Sequence, residues 1–263
     1  MPFVSSAGAK VHYTDTEADG PVLVLSHGFF LDEEMFARQG AGLAPDYRVI
    51  AVDARGHGLT EDYRDPFTYW DLAEDVWAVL DELGIDEVVA GGMSQGGYTA
   101  LRMALQQPAR VRALVLMGTS AEPYDAAERE RYRGIMRAWM ESAPFHPLAA
   151  MIAKTMIGGT PAEQQLWITK WCNADRSRLR LAADCLIERD SVAAAIGDLS
   201  CPALLVRGEH DQAESHADMT ALAAQLGGPA RLHTVAGATH GANITHAAQV
   251  NSLLREFLDA LPA

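Results

Sequence analysis

The chain has 263 residues, of which 49% are apolar and 21% charged, a composition that excludes disordered, collagen-like and coiled-coil proteins. Its 35 Asp and Glu against 21 Lys and Arg give a net charge of −14, which disfavours binding to nucleic acid or to anionic lipid. The three cysteines, Cys172, Cys185 and Cys201, have no CxxC spacing and indicate neither a disulfide framework nor a zinc site; we expect Cys201 to be buried. The N-terminus lacks the apolar core of a signal peptide, and no apolar run reaches the roughly 18 residues of a membrane span. We therefore expect a soluble, cytoplasmic protein.

Short apolar runs alternate with longer amphipathic stretches along the chain. A hairpin is predicted around residues 3–4 and 11–13, followed by strands at 21–26, 47–53, 87–91, 111–117, 202–207 and 232–235. Apolar residues at helical spacing predict helices within 72–83, 97–105, 219–226 and 250–258. Nearly continuous apolar strands are typical of a sheet that is buried on both faces. The pattern predicts an α/β fold with a mostly parallel central sheet, helices on both faces and the hairpin at one edge.

The alternation stops between residues 122 and 191. This stretch contains Trp139, Trp167, Trp171 and many Met and Ala residues without a strand pattern, so we expect helices with a loop at 158–161. An insertion between two strands of a parallel sheet lies over the carboxyl edge, where ligands bind. We predict a core of residues 1–121 and 192–263 and an inserted helical lid of residues 122–191.

A GxSxG motif, Gly92-Met93-Ser94-Gln95-Gly96, follows the predicted strand 87–91 and precedes a helix that begins near Gln95. This is the context of a nucleophile elbow, in which a tight turn presents the serine at a helix N-terminus. The structural alternative is a serine that caps the helix in a Gly-rich turn.

A serine hydroxyl becomes nucleophilic only when a base takes its proton and an acid orients that base. The expected chain order after the elbow is an acid and then a histidine, and both follow predicted strands here. Asp211 follows strand 202–207, and His240 follows strand 232–235. We predict the triad Ser94, Asp211 and His240, with Glu209 as the next candidate acid and Glu122 as a weaker third.

Two backbone N–H groups are needed to stabilise the oxyanion of such a reaction. One is expected from Gln95, which follows the nucleophile, and the other from Phe29 in the turn after strand 21–26. We predict that Phe29, Phe30 and Met93 contact the substrate, although the two phenylalanines are also compatible with a place in the core. His27 is expected to fix the loop by hydrogen bonding.

Other binding sites have weaker signals. His210, Asp211 and His216 do not match a metal-binding pattern such as HExxH, and the Gly-rich run 91–97 has neither GxGxxG nor a Walker lysine. We expect no metal and no cofactor.

Together these motifs resemble the α/β-hydrolase superfamily over essentially the whole chain. They are HGF at 27–29, DARGHG at 53–58, GMSQGG at 92–97, GEHD at 208–211 and GATH at 237–240. The 53–58 run is similar to the family's structural DxRGxG loop. Within the superfamily the chain looks most like the small lidded esterases and the β-ketoadipate enol-lactonase group, and HGANI at 240–244 resembles the sequence after the histidine in the latter. Thr60 replaces a usual serine, and 246–249 lacks a frequent proline. A serine nucleophile disfavours the dehalogenase and epoxide hydrolase branches, which carry Asp there.

These features predict a serine hydrolase that cleaves small carboxylic esters, or lactones, through an acyl-enzyme intermediate. Because neutral His240 must act as base, the acidic limb should have its midpoint within about a unit of 6.5. Three alternatives share the fold: a cofactor-free haloperoxidase or perhydrolase, a C–C bond hydrolase, and a non-catalytic small-molecule receptor. A role of the lid as a protein-docking face is a further one. We expect no nucleic-acid or membrane partner, and a monomer or homodimer.

Overall fold

The computed structural model describes residues 2–62 and 65–262. Their strands are β1 (Phe3–Ser6), β2 (Ala9–Asp15), β3 (Val22–Ser26), β4 (Arg48–Val52), β5 (Glu61–Asp62), β6 (Val88–Met93), β7 (Val111–Met117), β8 (Ala203–Gly208) and β9 (Ala230–Val235). They form one sheet in the order β1-β2-β4-β3-β6-β7-β8-β9, with β5 paired to β2. The six strands from β4 to β9 along this order are parallel to one another. The hairpin β1–β2 adds antiparallel strands at the β4 edge, so the predicted sheet and hairpin are confirmed.

Ten α-helices lie among the described residues. They are α1 (Ala37–Leu43), α2 (Tyr69–Glu82), α3 (Gln95–Gln106), α4 (Ala126–Glu141), α5 (His146–Ile152), α6 (Pro161–Asn173), α7 (Leu179–Ile187), α8 (His216–Gln225), α9 (Ala242–Thr245) and α10 (Ala247–Asp259). Predicted starts of α2 and α8 were three residues late. Each helix begins with a polar capping box, at Thr68 and at Ser215, and such first turns carry no apolar periodicity.

Alternate residues of each central strand pack into different cores, one on each face of the sheet. Leu23 and Leu25 of β3 pack with α10, whereas Val24 between them packs with α2 and α3. This period of two follows from the geometry of a strand. Helices therefore cover both faces, as predicted.

Every regular element between residues 122 and 191 is helical, from α4 to α7, with a π-helical turn at Ala153–Ile157. We call this stretch the helical insertion. It joins the core that contains α10, and Thr239 Oγ1 in the loop after β9 donates to the Ile157 carbonyl at 2.8 Å. The insertion therefore packs above the carboxyl ends of the parallel strands.

Three boundaries and exposures differ from the predictions. Strand β6 continues two residues further than expected, to Met93, because Gly92 and Met93 still pair with β7. Strand β9 begins at Ala230 rather than at 232, and it is partly exposed because, among the described strands, it pairs only with β8. Cys201 is only partly buried, since it precedes β8 rather than lying in it. None of the described helices combines the length and the hydropathy of a membrane span.

Candidate active site

Ser94 lies in a sharp turn between β6 and α3. Its backbone has φ 53° and ψ −115°, a region that side-chain-bearing residues rarely occupy and that stores strain. Glycines on both sides make the turn possible, because a Cβ on Gly92 would lie 2.2 Å from the carbonyl carbon of Gly96. A Cβ on Gly96 would lie 1.8 Å from the carbonyl oxygen of Ser26. The GxSxG motif thus forms a nucleophile elbow pressed against the end of β3.

Backbone hydrogen bonds hold this strained serine in place. The Ser94 N–H donates to the Met117 carbonyl at 2.8 Å, and the Ser94 carbonyl accepts from Gly97 N–H at 2.9 Å. The Thr119 hydroxyl donates to the same carbonyl at 2.8 Å. The serine is therefore fixed against the end of β7, and its side chain is left at the N-terminus of α3.

Asp211 and His240 meet at the ends of β8 and β9. His240 Nδ1 and Asp211 Oδ2 are 2.8 Å apart, and the two side chains are 1% and 0% exposed. Burial raises the pKa of Asp211, but the His240 imidazole and two backbone N–H donors outweigh it and lower that pKa below its usual value. An ionised Asp211 accepts the Nδ1 proton of His240 and leaves Nε2 as the basic nitrogen.

Nε2 of His240 is buried and has no hydrogen-bond partner among the described residues. Two consecutive residues at the end of β7 contact these groups: a Cβ on Gly118 would lie 3.0 Å from His240 Nδ1, and the Met117 carbonyl accepts the Ser94 N–H. The three residues predicted as a triad therefore lie at the same edge of the sheet, next to the end of β7, and their joint action stays a prediction. The Ser94 hydroxyl is not hydrogen-bonded to Nε2 in this structure.

The two other candidate acids lie elsewhere. Glu209 is exposed and accepts the Gly237 N–H at 2.8 Å, and Glu122 accepts the Ser191 hydroxyl at 2.9 Å on the surface. Neither contacts His240 in the part of the chain that the structure describes.

Sequence reasoning missed Glu214. It is 8% exposed, its N–H donates to Asp211 Oδ1 at 3.2 Å, and its carboxyl accepts the Tyr98 hydroxyl at 3.4 Å. Burial raises the pKa of Glu214 to about 7, and its charge raises the pKa of His240. Only its position three residues after Asp211 could have indicated this role, and that spacing is not a recognised motif.

The loop after β3 forms a turn in which the Leu31 N–H donates to the Gly28 carbonyl at 3.1 Å. His27 fixes the start of this turn: its Nε2 accepts the Ala54 N–H at 3.0 Å, so Nδ1 carries the proton and donates to the Gly28 carbonyl at 2.9 Å. The N–H groups of Phe29 and Gln95 donate to no acceptor among residues 2–62 and 65–262. We call residues 27–31 the oxyanion loop, after the role predicted for Phe29.

The three predicted substrate contacts lie in or beside this loop. Phe29 is 4% exposed and packs edge-on against His57, and Met93 is 1% exposed, with its sulfur against Gly28. Phe30, 9% exposed, borders a cavity of about 450 Å³ that also touches His57 and Lys170. Their contact with substrate stays a prediction.

One group of possible metal ligands occurs in the described part of the chain, His12, Glu33 and Asp53. His12 Nδ1 lies 2.7 Å from Asp53, which also accepts the N–H groups of Glu33 and Leu59 at 2.9 and 2.8 Å. These bonds use the Asp53 carboxylate to hold two loops together, and we assign the group a structural role. His210 and His216 are exposed.

The family model for the α/β-hydrolase fold matches residues 21–247. The chain belongs to the α/β-hydrolase family. The structure of this α/β hydrolase is similar to that of a thermophilic esterase from Thermogutta terrifontis, with a TM-score of 0.89 and 25% identity over 98% of this chain and 97% of that one. It is also similar to an enol-lactonase from Burkholderia xenovorans, with a TM-score of 0.88 and 25% identity over 98% and 100% of the two chains. A pimeloyl-[acyl-carrier protein] methyl ester esterase of Xanthomonas campestris is 29% identical over 95% of this chain and its whole own length. The predicted family, with its esterase and enol-lactonase relatives, is confirmed.

Proposed function

We propose that this α/β hydrolase cleaves small carboxylic esters, lactones included, through an acyl-enzyme on Ser94. One observation carries the proposal: a buried Asp211–His240 pair, 2.8 Å apart, whose Nε2 is free at the sheet edge where the strained turn presents Ser94. The names of the relatives, two esterases and an enol-lactonase, support this reaction class.

In the first half-reaction, the Ser94 hydroxyl attacks the acyl carbon and His240 Nε2 takes its proton. Asp211 holds the Nδ1 proton, fixes the tautomer and stabilises the imidazolium that forms. His240 then protonates the leaving alcohol. In the second half-reaction, a water molecule gives one proton to His240 and attacks the acyl carbon; the bond between the acyl carbon and the Ser94 oxygen then breaks, and His240 returns the proton to that oxygen. The strained turn and its hydrogen bonds hold the Ser94 backbone in place before substrate binds.

The negative oxygen of each tetrahedral intermediate binds to the unpaired N–H groups of Phe29 and Gln95. Donors fixed in advance stabilise charge without the cost of turning towards it during the reaction. Gln95 N–H is also the first N–H of α3, where the helix dipole favours negative charge.

The helical insertion acts as the lid of this site. It covers the carboxyl edge of the sheet and contributes Trp139 and Trp171, which surround Phe30. The shape of the acyl-binding and alcohol-binding pockets is therefore set by side chains from both the core and the insertion.

Labelling with a fluorophosphonate tests the proposal. We expect one adduct, mapped by mass spectrometry to Ser94, and turnover of short-chain p-nitrophenyl esters that Ser94→Ala reduces by at least roughly 10⁴-fold. Ser252→Ala, which changes an exposed serine on α10, should leave both labelling and turnover intact. Equal turnover by Ser94→Ala and the unmodified enzyme would refute the proposal. A panel of esters and lactones then ranks the two substrate types.

A further inference from the structure

The oxyanion loop contains a second strained residue besides the elbow serine. Phe30 has φ 70° and occupies the third position of the four-residue turn that the Leu31 N–H closes on the Gly28 carbonyl. A positive φ at this position is typical of a type II turn, which strongly favours glycine there. A phenylalanine keeps this conformation only where surrounding contacts enforce it.

Two tryptophans of the helical insertion surround Phe30, and they differ in one respect. The Trp171 indole N–H donates to the Phe30 carbonyl at 2.6 Å. The Trp139 ring lies closer to the Phe30 ring, with 4.4 Å between centroids against 6.3 Å for Trp171. The Trp139 N–H is buried without a partner among the described residues. Trp139 therefore contributes mainly packing against Phe30, whereas Trp171 contributes a directed hydrogen bond.

The carbonyl that Trp171 binds is part of the same turn as the proposed oxyanion donor. Phe29 N–H lies one residue before Phe30, and relaxation of Phe30 to negative φ would rotate the peptide units of this turn. The bond is short and lies between two nearly buried residues, 4% and 9% exposed, so water cannot easily replace the indole. Lys170, the residue before Trp171, also contacts the segment after the loop, at Asp32 and Glu34.

We propose that Trp171 is a positioning residue for the oxyanion hole: its N–H holds the Phe30 carbonyl, and through it aims Phe29 N–H at the developing negative oxygen. The inference rests on the proposed ester hydrolysis. Trp171 acts through Phe30 and lies 141 residues from it in sequence. The helical insertion therefore completes the catalytic centre as well as covering it.

Trp171→Phe tests this, because it removes the N–H and keeps an aromatic ring. Trp139→Phe is the matched control, since it removes a similar volume next to Phe30 and an N–H that bonds to nothing in the described structure. Loss of a complete oxyanion donor typically costs roughly 10²–10³ in rate, so a misaligned donor should cost about tenfold in kcat. We expect that loss in Trp171→Phe, with KM changed less than about twofold, and a kcat loss at least about threefold smaller in Trp139→Phe, because Trp139 packs against Phe30 without bonding to its carbonyl. Equal kcat losses in the two variants would overturn the proposal.

Affinity for a trifluoromethyl ketone separates positioning from general loosening, because its adduct with Ser94 carries the oxyanion. In Trp171→Phe the affinity for this inhibitor should fall by about the same factor as kcat, whereas the affinity for the neutral product alcohol should stay unchanged. Unchanged ketone affinity would contradict the proposal. If Trp171→Phe does not fold, benzothienylalanine at 171, which replaces N–H by sulfur in the same two-ring shape, gives the same comparison. Ser94→Ala distinguishes failure of the proposed function from failure of the role of Trp171. Retained turnover in Ser94→Ala would refute ester hydrolysis by this site. An inactive Ser94→Ala together with a fully active Trp171→Phe would refute only the positioning role of Trp171.

Discussion

The nucleophile elbow and the oxyanion loop are neighbours at the carboxyl edge of the sheet, and each contains a residue with positive φ, Ser94 and Phe30. Different contacts enforce the two conformations. The elbow is held by backbone hydrogen bonds to Ser94 and by glycines that let α3 touch β3. The oxyanion loop is held by the side chains of Trp139 and Trp171 from the helical insertion. The elbow is thus a local structure, whereas the loop depends on segments more than 100 residues away.

Gly96→Ala has the largest expected effect, and it tests whether the nucleophile elbow depends on close contact between α3 and β3. Its Cβ would lie 1.8 Å from the Ser26 carbonyl oxygen, and backbone atoms cannot move aside as a flexible side chain can. We expect a loss of unfolding free energy of roughly 3 kcal/mol or more. Any folded fraction should have a kcat at least about 10²-fold lower, because α3 shifts together with Ser94 and Gln95. Thermal melts and active-site titration measure the two effects.

Gly134→Ala is the control for that substitution. Gly134 lies in α4, and the nearest atom to its new Cβ would be an arginine nitrogen at 4.0 Å. Alanine is a better helix former than glycine, so stability should rise by about 0.5–1 kcal/mol. If Gly96→Ala melted and turned over like Gly134→Ala, the elbow would not depend on close backbone contact.

The same contrast explains what the sequence could predict. The parallel strands, the sharp turn at Ser94 and the placement of Asp211 and His240 at the sheet edge could be predicted from the chain because each depends on a short pattern: an apolar run, GxSxG, and a carboxylate or histidine directly after a strand. The left-handed conformation of Phe30 could not be predicted in this way, because no pattern in residues 27–31 indicates the hydrogen bond from Trp171. Glu214 was missed for a related reason, since its burial beside Asp211 is created by Tyr98 and by the start of α8.

Glu214 provides a test of what sets the pKa of His240, the proposed base. Burial lowers the pKa of His240, but the charge and hydrogen bond of Asp211, and the charge of Glu214, raise it more, so the net pKa lies above the usual 6.5. Protonated His240 cannot act as base, so activity is lost as the pH falls through this pKa. Glu214→Gln removes one of the negative charges that favour the imidazolium. The acidic limb of kcat/KM should therefore move to lower pH, by less than about one unit.

Two further measurements make this prediction specific. Glu256→Gln, an exposed carboxyl on α10, should leave the limb in place. Since burial raises the pKa of Glu214 to about 7, its contribution to stability is complete below pH 4.5 and is lost as the pH rises through 7. Glu214→Gln should therefore melt at a higher temperature than the unmodified enzyme at pH 8, and nearer to it at pH 5. A limb that moves to higher pH would show that Glu214 does not act on His240 by its charge.

The smallest expected effect is that of Lys170→Gln. Lys170 and Trp171 both lie in α6, and this variant removes the ion pair of Lys170 while it keeps the hydrogen bond of Trp171 to the oxyanion loop. Lys170 Nζ lies 2.6 Å from Asp32 and 3.0 Å from Glu34, with 29% of its side chain exposed. Such a partly exposed pair contributes about 1 kcal/mol at most and is weakened by salt. Lys170→Gln should lower stability by that amount at low ionic strength, with the difference shrinking in 1 M salt. We expect kcat to change less than about twofold, since the Trp171 bond to Phe30 stays in place. A tenfold loss of kcat would mean that the ion pair, and not the indole N–H, holds the loop in its catalytic conformation.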